Sequence, residues 1–467
     1  MITKIAISGF KSFKDFEVEL SPFVVVAGVN AAGKSNLFDA IQLLSRLSQS
    51  NIRIAFDNLR GDAHELFSKH IDGSSEDEMR FSVELLLDRH IRDAWGGEAE
   101  LKYTRLRYSL HIQRRPDGRG VERLYVSKEE LTTIPRGEDD WYKRYVGEKN
   151  HFWHVKVTGG RAPFISTKTE NDTATVLLHQ DKGSSGRPRP AADLESTMLS
   201  SVTNTEFPHA LAVKKEMEHW HFLQLNPVEL RRPAAKFTAR EFMGPDGSGF
   251  AGALFRIKSN NPLDLKNIAR DMANLIPGIT GIDVAEDEIE KKYVVRATMD
   301  DGRVFSSQVL SEGTLRLLAL CTLKHDAAHR GVICFEEPEN GVNPTKILQV
   351  LELLRSLTTD FEREEKAPFP SRQVLINTHS PLLVNEVYKM KSIEKFGHIF
   401  FARLVSLIQN GKKIQHTRLQ AVDLSTVGKL NFDPKMTQVD RKVGKAELLN
   451  YLETVRFDTE LTTLNEP

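Results

Sequence analysis

The stretch that decides how the chain is interpreted spans residues 23–36 and reads FVVVAGVNAAGKSN. Phe23–Ala27 is a continuous apolar run rich in β-branched residues, as in strands that are buried on both faces. Residues 28–33 interrupt this run and have glycine at both ends. A helix is predicted next from four aliphatic residues at helical spacing: Leu37, Ile41, Leu44 and Leu47. The order of strand, glycine loop and helix predicts half of a βαβ unit.

The glycine loop matches the phosphate-binding pattern G-x-x-x-x-G-K-[ST] at every position of residues 28–35, hereafter the phosphate loop. In such loops, backbone N–H groups turn inward around phosphate oxygens, at a helix N-terminus whose dipole favours anions. Lys34 is expected to reach the β- and γ-phosphates of ATP, and Ser35 to offer its hydroxyl to Mg²⁺. The alternative is a glycine-rich turn without a ligand. The candidate nucleotide contacts are Asn30, Gly33, Lys34, Ser35 and Asn36.

Two adjacent carboxylates, Glu336 and Glu337, follow an apolar run at residues 332–335. A nucleotide site needs one acid for Mg²⁺ or its water and a second acid to orient the attacking water. We therefore assign Glu336 to the metal and Glu337 to the role of general base. Many phosphate-loop enzymes have aspartate at the first position, so the longer Glu336 departs from the common pattern. Without a phosphate loop, the pair would indicate only a solvated strand end.

Two further polar segments gain meaning from their order along the chain. Ser311 and Gly313 lie at the predicted start of a helix, where a hydroxyl, free N–H groups and close backbone approach suit a γ-phosphate. His379 follows the apolar run at residues 373–377 and is placed to sense the γ-phosphate through a hydrogen bond. Taken alone, a serine at a helix start is more often a simple cap, and a lone histidine is more often structural.

The order of phosphate loop, Ser-x-Gly helix, acidic strand and strand-histidine resembles the ABC-type ATPase head shared by RecF, SMC and OLD-family proteins of the AAA family. FKSFKDFEVEL, followed by VVVAGVNAAGKSN, is similar to the opening of these heads. LSEGT resembles their signature motif, FEEPENGVNP their Walker B segment and D-loop, and INTHSP their switch-histidine segment. The resemblance implies an α/β fold, a mixed sheet flanked by helices, which a large α+β insertion splits.

The same resemblance implies a division of the chain and a way of assembling. Residues 1–60 and 306–405 would form the two halves of the head, 61–305 an inserted lobe, and 406–467 a C-terminal tail for partner docking. In these families two heads sandwich ATP, so the chain is expected to form an ATP-dependent homodimer or a higher oligomer. Lys34 and Glu337 of one subunit would then share a site with Ser311 and Gly313 of the other.

The segments outside the head motifs narrow the choice of relatives. No heptad pattern supports a long coiled coil in the insertion. OLD-type nucleases carry a Toprim domain after the head, but only 467 − 379 = 88 residues follow His379 and they lack its acidic pattern. We therefore expect no nuclease site in this chain. The insertion is predicted to contain strands near residues 81–87, 101–112 and 122–126 and a loop at 180–192, and a helix is predicted near 445–455.

A head without coil or nuclease is similar to the stand-alone ATPase subunits of bacterial antiphage systems, Septu first and PARIS next. This resemblance implies slow, regulatory ATP hydrolysis that controls a separately encoded nuclease effector, with an HNH nuclease favoured. The alternative is a RecF-like DNA-repair or recombination ATPase that clamps DNA when it binds ATP. A transporter's nucleotide-binding subunit fits poorly, because such subunits are shorter than this chain.

The composition limits these hypotheses. The chain has 64 Lys+Arg and 64 Asp+Glu, so its formal net charge is zero, which argues against coating nucleic acid or an anionic membrane by bulk charge. Two cysteines are too few for a disulfide framework and favour a reducing compartment. The apolar runs fall far short of the roughly 18 residues of a membrane span, and the N-terminus does not resemble a secretory signal. We expect a cytoplasmic protein without membrane association.

Local basic residues leave a DNA or partner surface as one interpretation. Some lie in predicted alternating strands together with Tyr103 and Tyr108, and others lie in the segment LNPVELRRP. Because neighbouring residues of a strand face opposite sides, the first group does not form one stripe, and a solvated sheet face is the first interpretation. The residues concerned are Lys102, Arg105, Arg107, Arg114, Arg115, Arg119, Arg231 and Arg232.

Overall fold

The fold is given by a computed structural model, which carries side chains. It describes residues 1–57, 59–70, 72–147, 162–170, 173–181, 187–190, 195–237, 242–361, 371–390, 393, 397–409, 412–423, 429–431 and 451. The structural statements below concern these residues.

Strands and helices are mixed along the whole described chain, as an α/β fold requires. The strands are β1 (Ile2–Ser8), β2 (Phe16–Glu19), β3 (Phe23–Ala27), β4 (Glu78–Leu86), β5 (His90–Arg92), β6 (Glu98–Glu100), β7 (Arg105–Pro116), β8 (Glu122–Thr133), β9 (Ile165–Glu170), β10 (Thr173–Leu178), β11 (Arg187–Pro190), β12 (His221–Leu223), β13 (Ala234–Ala235), β14 (Ile279–Asp287), β15 (Lys292–Met299), β16 (Val304–Ser306), β17 (Gly331–Glu336), β18 (Arg372–Thr378), β19 (Gly397–Gln409), β20 (Lys412–Asp423) and β21 (Lys429–Asn431). The α-helices are α1 (Lys34–Leu47), α2 (Ile52–Asp57), α3 (Asp140–Tyr145), α4 (Pro208–Glu218), α5 (Pro227–Arg231), α6 (Phe250–Asn260), α7 (Pro262–Leu275), α8 (Glu312–His325), α9 (Ile347–Ser356) and α10 (Pro381–Lys389).

A seven-stranded sheet carries the phosphate loop. Its strand order is β12-β17-β18-β3-β19-β20-β21. The first five strands of that order run parallel, and the last two add antiparallel pairings. All five residues of β3 are buried, as the unbroken run of β-branched residues predicts for a strand covered on both faces. Alternate side chains of β3 therefore enter two different cores.

The two cores lie on opposite faces of this sheet. Val24 and Val26 belong to a core that also contains the apolar face of α1 and the inner residues of the antiparallel strands. Phe23, Val25 and Ala27 belong to a second core, formed with helices α6 to α10 and with β14 and β15. This two-sided burial confirms the predicted class, an α/β fold with a mixed sheet flanked by helices.

Two further sheets complete the architecture. An eight-stranded sheet, entirely antiparallel, has the order β11-β10-β9-β8-β7-β4-β1-β2, so β1 lies between β2 at the edge and β4 from later in the chain. A four-stranded sheet joins β13 and β16 to the hairpin of β14 and β15. The proposed division of the chain remains a prediction, and two sheets cross its boundaries. The eight-stranded sheet joins β1 to β4, and the seven-stranded sheet includes β12 from the predicted insertion.

The local predictions were confirmed near the motifs and less accurate elsewhere. Asn343 caps the turn that leads into α9, and its side chain accepts the N–H of Thr345, as its position before a proline predicts. The predicted strand at 101–112 instead begins at Arg105. The loop predicted at 180–192 is wrong in part, because Arg187–Pro190 forms the edge strand β11, a place where proline is tolerated. Apart from residue 451, the helix predicted near 445–455 lies outside the described residues.

Within the described residues, no helix combines the length and the apolar character that crossing a bilayer requires.

A buried carboxylate joins the eight-stranded sheet to the segment before α4. Glu129 of β8 accepts hydrogen bonds from the N–H groups of Met198 (2.6 Å) and Leu199 (2.9 Å) and from the hydroxyl of Tyr108 (3.0 Å). No part of its side chain is exposed, and this burial raises the pKa of Glu129 from 4.5 to about 7. The three donors hold the carboxylate but do not offset its loss of water.

Glu129 predicts a pH dependence of stability with a definite sign. Because its folded pKa is raised, folding favours the protonated carboxyl. The stabilising contribution is complete below pH 4.5 and is lost as the pH rises through about 7. The pKa difference corresponds to at most about 3 kcal/mol. We expect Glu129→Gln to flatten the fall in unfolding free energy between about pH 5 and about pH 7.5 in urea denaturation. Glu130→Gln, at the neighbouring half-exposed position, is the control. Equal slopes for Glu129→Gln and the parent chain would contradict the assignment.

Candidate nucleotide site

The site lies where three parallel strands end side by side. Strand β18 pairs with β3 and with β17, and the register places Thr378 opposite Ala27 and Asn377 opposite Glu336. The carboxyl ends of parallel strands meet at one edge of a sheet, which is the usual place for ligands in α/β folds. The residues that follow the three strand ends are Gly28, His379 and Glu337.

The phosphate loop has the conformation that its sequence predicts. Gly33 is left-handed at φ 87° and caps α1 without a side-chain hydrogen bond, and the first turn contains no acidic residue. Ala31 is also left-handed, at φ 62°. Among the described residues, no acceptor is found for several backbone N–H groups of this segment, those of Asn30, Ala31, Gly33, Lys34 and Ser35. Unbonded N–H groups at a helix N-terminus that lacks a side-chain cap suit an anion.

Lys34 is buried within the loop. Its ammonium donates to the carbonyl oxygens of Gly28 and Val29, at 2.8 Å each. Burial lowers the pKa of Lys34, and the nearby carboxylates of Glu337 and Glu339 oppose that shift. Lys34 therefore places its side-chain nitrogen beside the open N–H groups, with bonds to neutral carbonyls that phosphate oxygens can replace.

The residues assigned to Mg²⁺ lie next to an unsatisfied amide oxygen. Asn377 donates from Nδ2 to Ser35 Oγ (3.0 Å), while its Oδ1 is buried and meets no donor among the described residues. A carboxylate oxygen of Glu336 lies 3.8 Å from the Arg60 guanidinium, which also donates to Asp39 (3.0 Å). Hydroxyl, carboxylate and amide oxygens are the donors that Mg²⁺ prefers, with water and phosphate completing its shell. The donor set therefore fits the ion.

The structure brings the predicted general base and the predicted histidine together. Glu337 has φ 51°, a strained value for a residue with a side chain, and its N–H donates to the carbonyl of Asn377 (2.8 Å). One carboxylate oxygen lies 2.8 Å from His379 Nδ1, and the other accepts from Asn340 Nδ2 at 2.5 Å. The strained turn thus aims a carboxylate that two neighbouring side chains hold in place.

Two site residues escaped the sequence analysis. The carboxylate of Glu339 accepts the hydroxyl of Thr378, burial raises the pKa of Glu339, and its second oxygen is buried without a donor among the described residues. The signal was present, since FEEPEN contains a third acid. Arg60 gave no signal, because only the packing of the chain brings it to Glu336.

Ser311 and Gly313 lie at the start of α8, as predicted, and their contacts are with neighbouring residues of the helix start and the loop after the acidic strand. Ser311 is the N-cap of α8, and its hydroxyl accepts the N–H of Thr314 (3.2 Å). A Cβ on Gly313 would lie 3.0 Å from the carbonyl oxygen of Gly341, so the helix start packs closely on the loop after the acidic strand. Within the described residues, no hydrogen bond or ion pair joins Ser311 or Gly313 to the phosphate loop.

Four of the basic residues singled out in the sequence are paired with carboxylates of the same chain. The pairs are Arg105–Asp139 (2.7 Å), Arg107–Glu84 (2.8 Å), Arg114–Asp77 (2.9 Å) and Arg232–Glu229 (2.8 Å). Tyr108 is buried, with its hydroxyl on Glu129, and so offers no face for stacking on a base. Arg231 donates to the carbonyl of Leu310, next to the α8 cap (3.2 Å). These contacts favour the structural interpretation over a DNA surface.

Two protein-family models match the chain, one in each part that builds the site. Residues 1–148 match a model described as an AAA ATPase domain. Residues 195–385 match a model described as an AAA domain, putative AbiEii toxin, type IV TA system. The first includes the phosphate loop, and the second includes the start of α8, the acidic strand and His379. Both parts of the chain that build the site are therefore similar to AAA-type ATPase domains. A comparison with curated proteins found no match.

The chain also resembles solved structures of SMC heads. It aligns with an SMC head bound to the C-winged helix domain of ScpA at 11% identity and a TM-score of 0.47, covering 91% of this chain and 99% of that one. The SMC head domain from Thermotoga maritima aligns at 12% identity and a TM-score of 0.36, covering 90% of this chain and 98% of that one. A third structure is an SMC head with an extended coiled coil, bound to the C-terminal domain of ScpA derived from Pyrococcus furiosus. It aligns at 11% identity and a TM-score of 0.42, covering 90% of this chain and 96% of that one.

A matched pair of glycine substitutions tests the conformation of the phosphate loop. A Cβ on Gly33 would lie 1.9 Å from Thr417 Oγ1 and 2.9 Å from Ser12 Oγ, whereas Gly302, at a similar φ of 82°, has nothing within 4 Å. We expect Gly302→Ala to cost about 1 kcal/mol of unfolding free energy, because only the backbone is strained. Gly33→Ala should cost about 2 kcal/mol more, because the neighbours must also move. Equal losses in denaturant titrations of the two variants would contradict the packing described for the loop.

Proposed function

We propose that this chain binds ATP with Mg²⁺ and hydrolyses it at the edge where β3, β18 and β17 end. The observation that carries the proposal is the meeting of a buried Lys34 and open N–H groups with the Glu337–His379 pair. The loop N–H groups and Lys34 would hold the phosphates. Ser35 and Glu336 would hold Mg²⁺, with Asn377 beside them. When bound, Mg²⁺ supplies charge neutralisation for the phosphates.

In this proposal Glu337 would act as the general base. Its carboxylate would accept a proton from the attacking water, and the strained backbone and the two side-chain hydrogen bonds fix where that carboxylate lies. His379 Nδ1 on the same carboxylate would hold it in orientation and sense the γ-phosphate. Asn340 performs the same orienting task on the other carboxylate oxygen.

We further propose that a second copy of the chain completes the site. Ser311 and Gly313 make no bond to the phosphate loop of their own chain in the described structure, although their open helix start suits a γ-phosphate. Val29, in the phosphate loop, and Val309, just before Ser311, are 56% and 68% exposed. Head-to-tail closure of two copies would bring these two apolar residues under cover together with the nucleotide.

The biological role that we propose is regulatory ATP hydrolysis in an antiphage complex, with a separately encoded nuclease of HNH type as the effector. The support is a family model whose description names a toxin of a type IV toxin–antitoxin system. The absence of a nuclease site and of a Toprim domain, the cytoplasmic location and the division into a split head, inserted lobe and docking tail belong to the same proposal. A RecF-like DNA clamp receives less support, because the arginines that would serve it are paired in cis.

Two substitutions separate binding from chemistry. Lys34→Ala should abolish measurable ATP binding in calorimetry, because it removes the ammonium that would bind the phosphate oxygens. Glu337→Gln should bind ATP with near-normal affinity and lower kcat by about 100-fold or more, since the general base is lost. Lys346→Ala and Glu352→Gln, on the segment around α9, serve as matched controls. Normal ATP affinity in Lys34→Ala, or normal turnover in Glu337→Gln, would refute the respective assignment.

Mixing two inactive variants tests the shared site. In a mixed dimer of Lys34→Ala with Ser311→Arg, one of the two composite sites contains no substitution. Random mixing should therefore restore roughly a quarter of the parent ATPase activity from two inactive preparations. Mixing Lys34→Ala with Glu337→Gln is the control. Both substitutions lie on the same half of the composite site, so every site of the mixed dimer contains one of them and no activity should return. Failure of the Ser311→Arg mixture to recover any activity would contradict completion in trans.

A further inference from the structure

A chain of side-chain hydrogen bonds fastens the phosphate loop to a distant strand. Asn36 donates from Nδ2 to Ser12 Oγ (2.7 Å), the hydroxyls of Ser12 and Thr417 lie 2.6 Å apart, and Thr417 Oγ1 donates to the carbonyl of Ala32 (3.1 Å). Thr417 lies on β20 and is 1% exposed. Its own N–H donates to the carbonyl of Ser12 (2.8 Å). Three segments that are far apart in sequence thus meet at the loop.

The hydrogen bonds that link Asn36, Ser12, Thr417 and Ala32 can have only one direction. A hydroxyl carries a single hydrogen, and Thr417 uses its hydrogen on Ala32 because a carbonyl can only accept. Ser12 must therefore donate to Thr417, and its own oxygen accepts from Asn36. Every donor points the same way, from Asn36 through Ser12 and Thr417 to Ala32. Such a chain strengthens each of its members.

The bond to Ala32 also fixes the direction of the next N–H group. The described chain has no cis peptide bonds, and in a planar trans peptide the C=O and the following N–H point in opposite directions. With the Ala32 carbonyl on Thr417, outside the loop, the N–H of Gly33 points to the inside. That N–H is one of the groups without an acceptor among the described residues.

Strand β20 and its neighbour β19 pack closely against the phosphate loop. A Cβ on Gly33 would lie 1.9 Å from Thr417 Oγ1, and a Cβ on Gly28 would lie 2.6 Å from the carbonyl oxygen of Ala402 on β19. The hairpin of β19 and β20 therefore touches the loop at both of its pattern glycines. Only glycine leaves room for these contacts.

We propose that Thr417 is a positioning residue for phosphate binding: it holds the Ala32–Gly33 peptide so that the Gly33 N–H faces the phosphates of a bound nucleotide. The inference deepens the proposed ATP site and depends on it. Without the Thr417 hydroxyl, the Ala32 carbonyl loses the hydrogen bond that opposes rotation of the Ala32–Gly33 peptide. The nucleotide must then order this peptide when it binds. The consequence falls on affinity, because Glu337 and His379 follow the other strands β17 and β18 and, within the described residues, make no contact with this chain of hydrogen bonds.

The experiment compares three variants of the full-length chain. Thr417→Val keeps the shape but removes the hydroxyl, and Thr417→Ser keeps the hydroxyl. Thr197→Val is the matched control: Thr197 is also buried (2% exposed), and its hydroxyl donates to the carbonyl of Leu47 (2.9 Å), at the opposite end of α1. ATP and ADP affinities are measured by calorimetry, ATPase activity over a range of ATP concentrations, and melting temperature without nucleotide.

We expect Thr417→Val to weaken ATP and ADP binding and to raise KM about tenfold, with kcat at saturation within about twofold of the parent. Thr417→Ser should restore affinity to within about threefold, and Thr197→Val should lower the melting temperature without changing affinity. Unchanged affinity in Thr417→Val, or an equal loss in Thr197→Val, would overturn the inference. If Thr417→Val does not fold, Ser12→Ala tests the same chain, and parent-like ATP affinity in that variant would overturn the inference.

These outcomes are distinguishable from failure of the proposed function. If the parent chain binds no ATP, the nucleotide site itself is refuted. If the parent binds ATP, Lys34→Ala does not, and Thr417→Val binds like the parent, the site stands and only the role of Thr417 is wrong.

Discussion

The site depends on the parallel pairing of β18 with β3 on one side and β17 on the other. This register places Thr378 opposite Ala27 and Asn377 opposite Glu336, so the phosphate loop, the acidic turn and the histidine segment leave the sheet at one edge. If the pairing of β18, the central strand of the three, slipped by one residue, each of its side chains would turn to the opposite face of the sheet and so to the other core. Burial of the central strand on both faces therefore also fixes the position of the chemistry.

The loops at this edge are held by contacts from elements that carry no motif. Asn377 links the central strand to Ser35 and to the Glu337 turn, and the hairpin of β19 and β20 packs against both glycines of the phosphate loop. The left-handed conformations at Ala31 and Glu337 persist because their surroundings determine them. The polar donors of the loop remain directed inward, and the site is preorganised for an anion rather than assembled by it.

The sequence predicted what short-range patterns determine. The β3–α1 unit and the strand before Glu336 follow from periodicity and glycine chemistry, and Glu337 and His379 proved to be in contact. The role of Thr417 could not be predicted, because it rests on a contact between residues 385 positions apart with no local signal. The partners of the basic residues could not be predicted either, since only the folded chain shows Arg105 beside Asp139. The pairing of β1 with β4 also lay beyond any motif.

All the roles proposed for this edge of the sheet require that the phosphate loop binds ATP with Lys34 as its cation. The most direct test is a structure of the Glu337→Gln variant with ATP and Mg²⁺. We expect the Lys34 ammonium to leave the carbonyl oxygens of Gly28 and Val29 for phosphate oxygens, and the Gly33 N–H to donate to a phosphate. A nucleotide bound elsewhere, or a Lys34 still on the two carbonyls with ATP present, would contradict it.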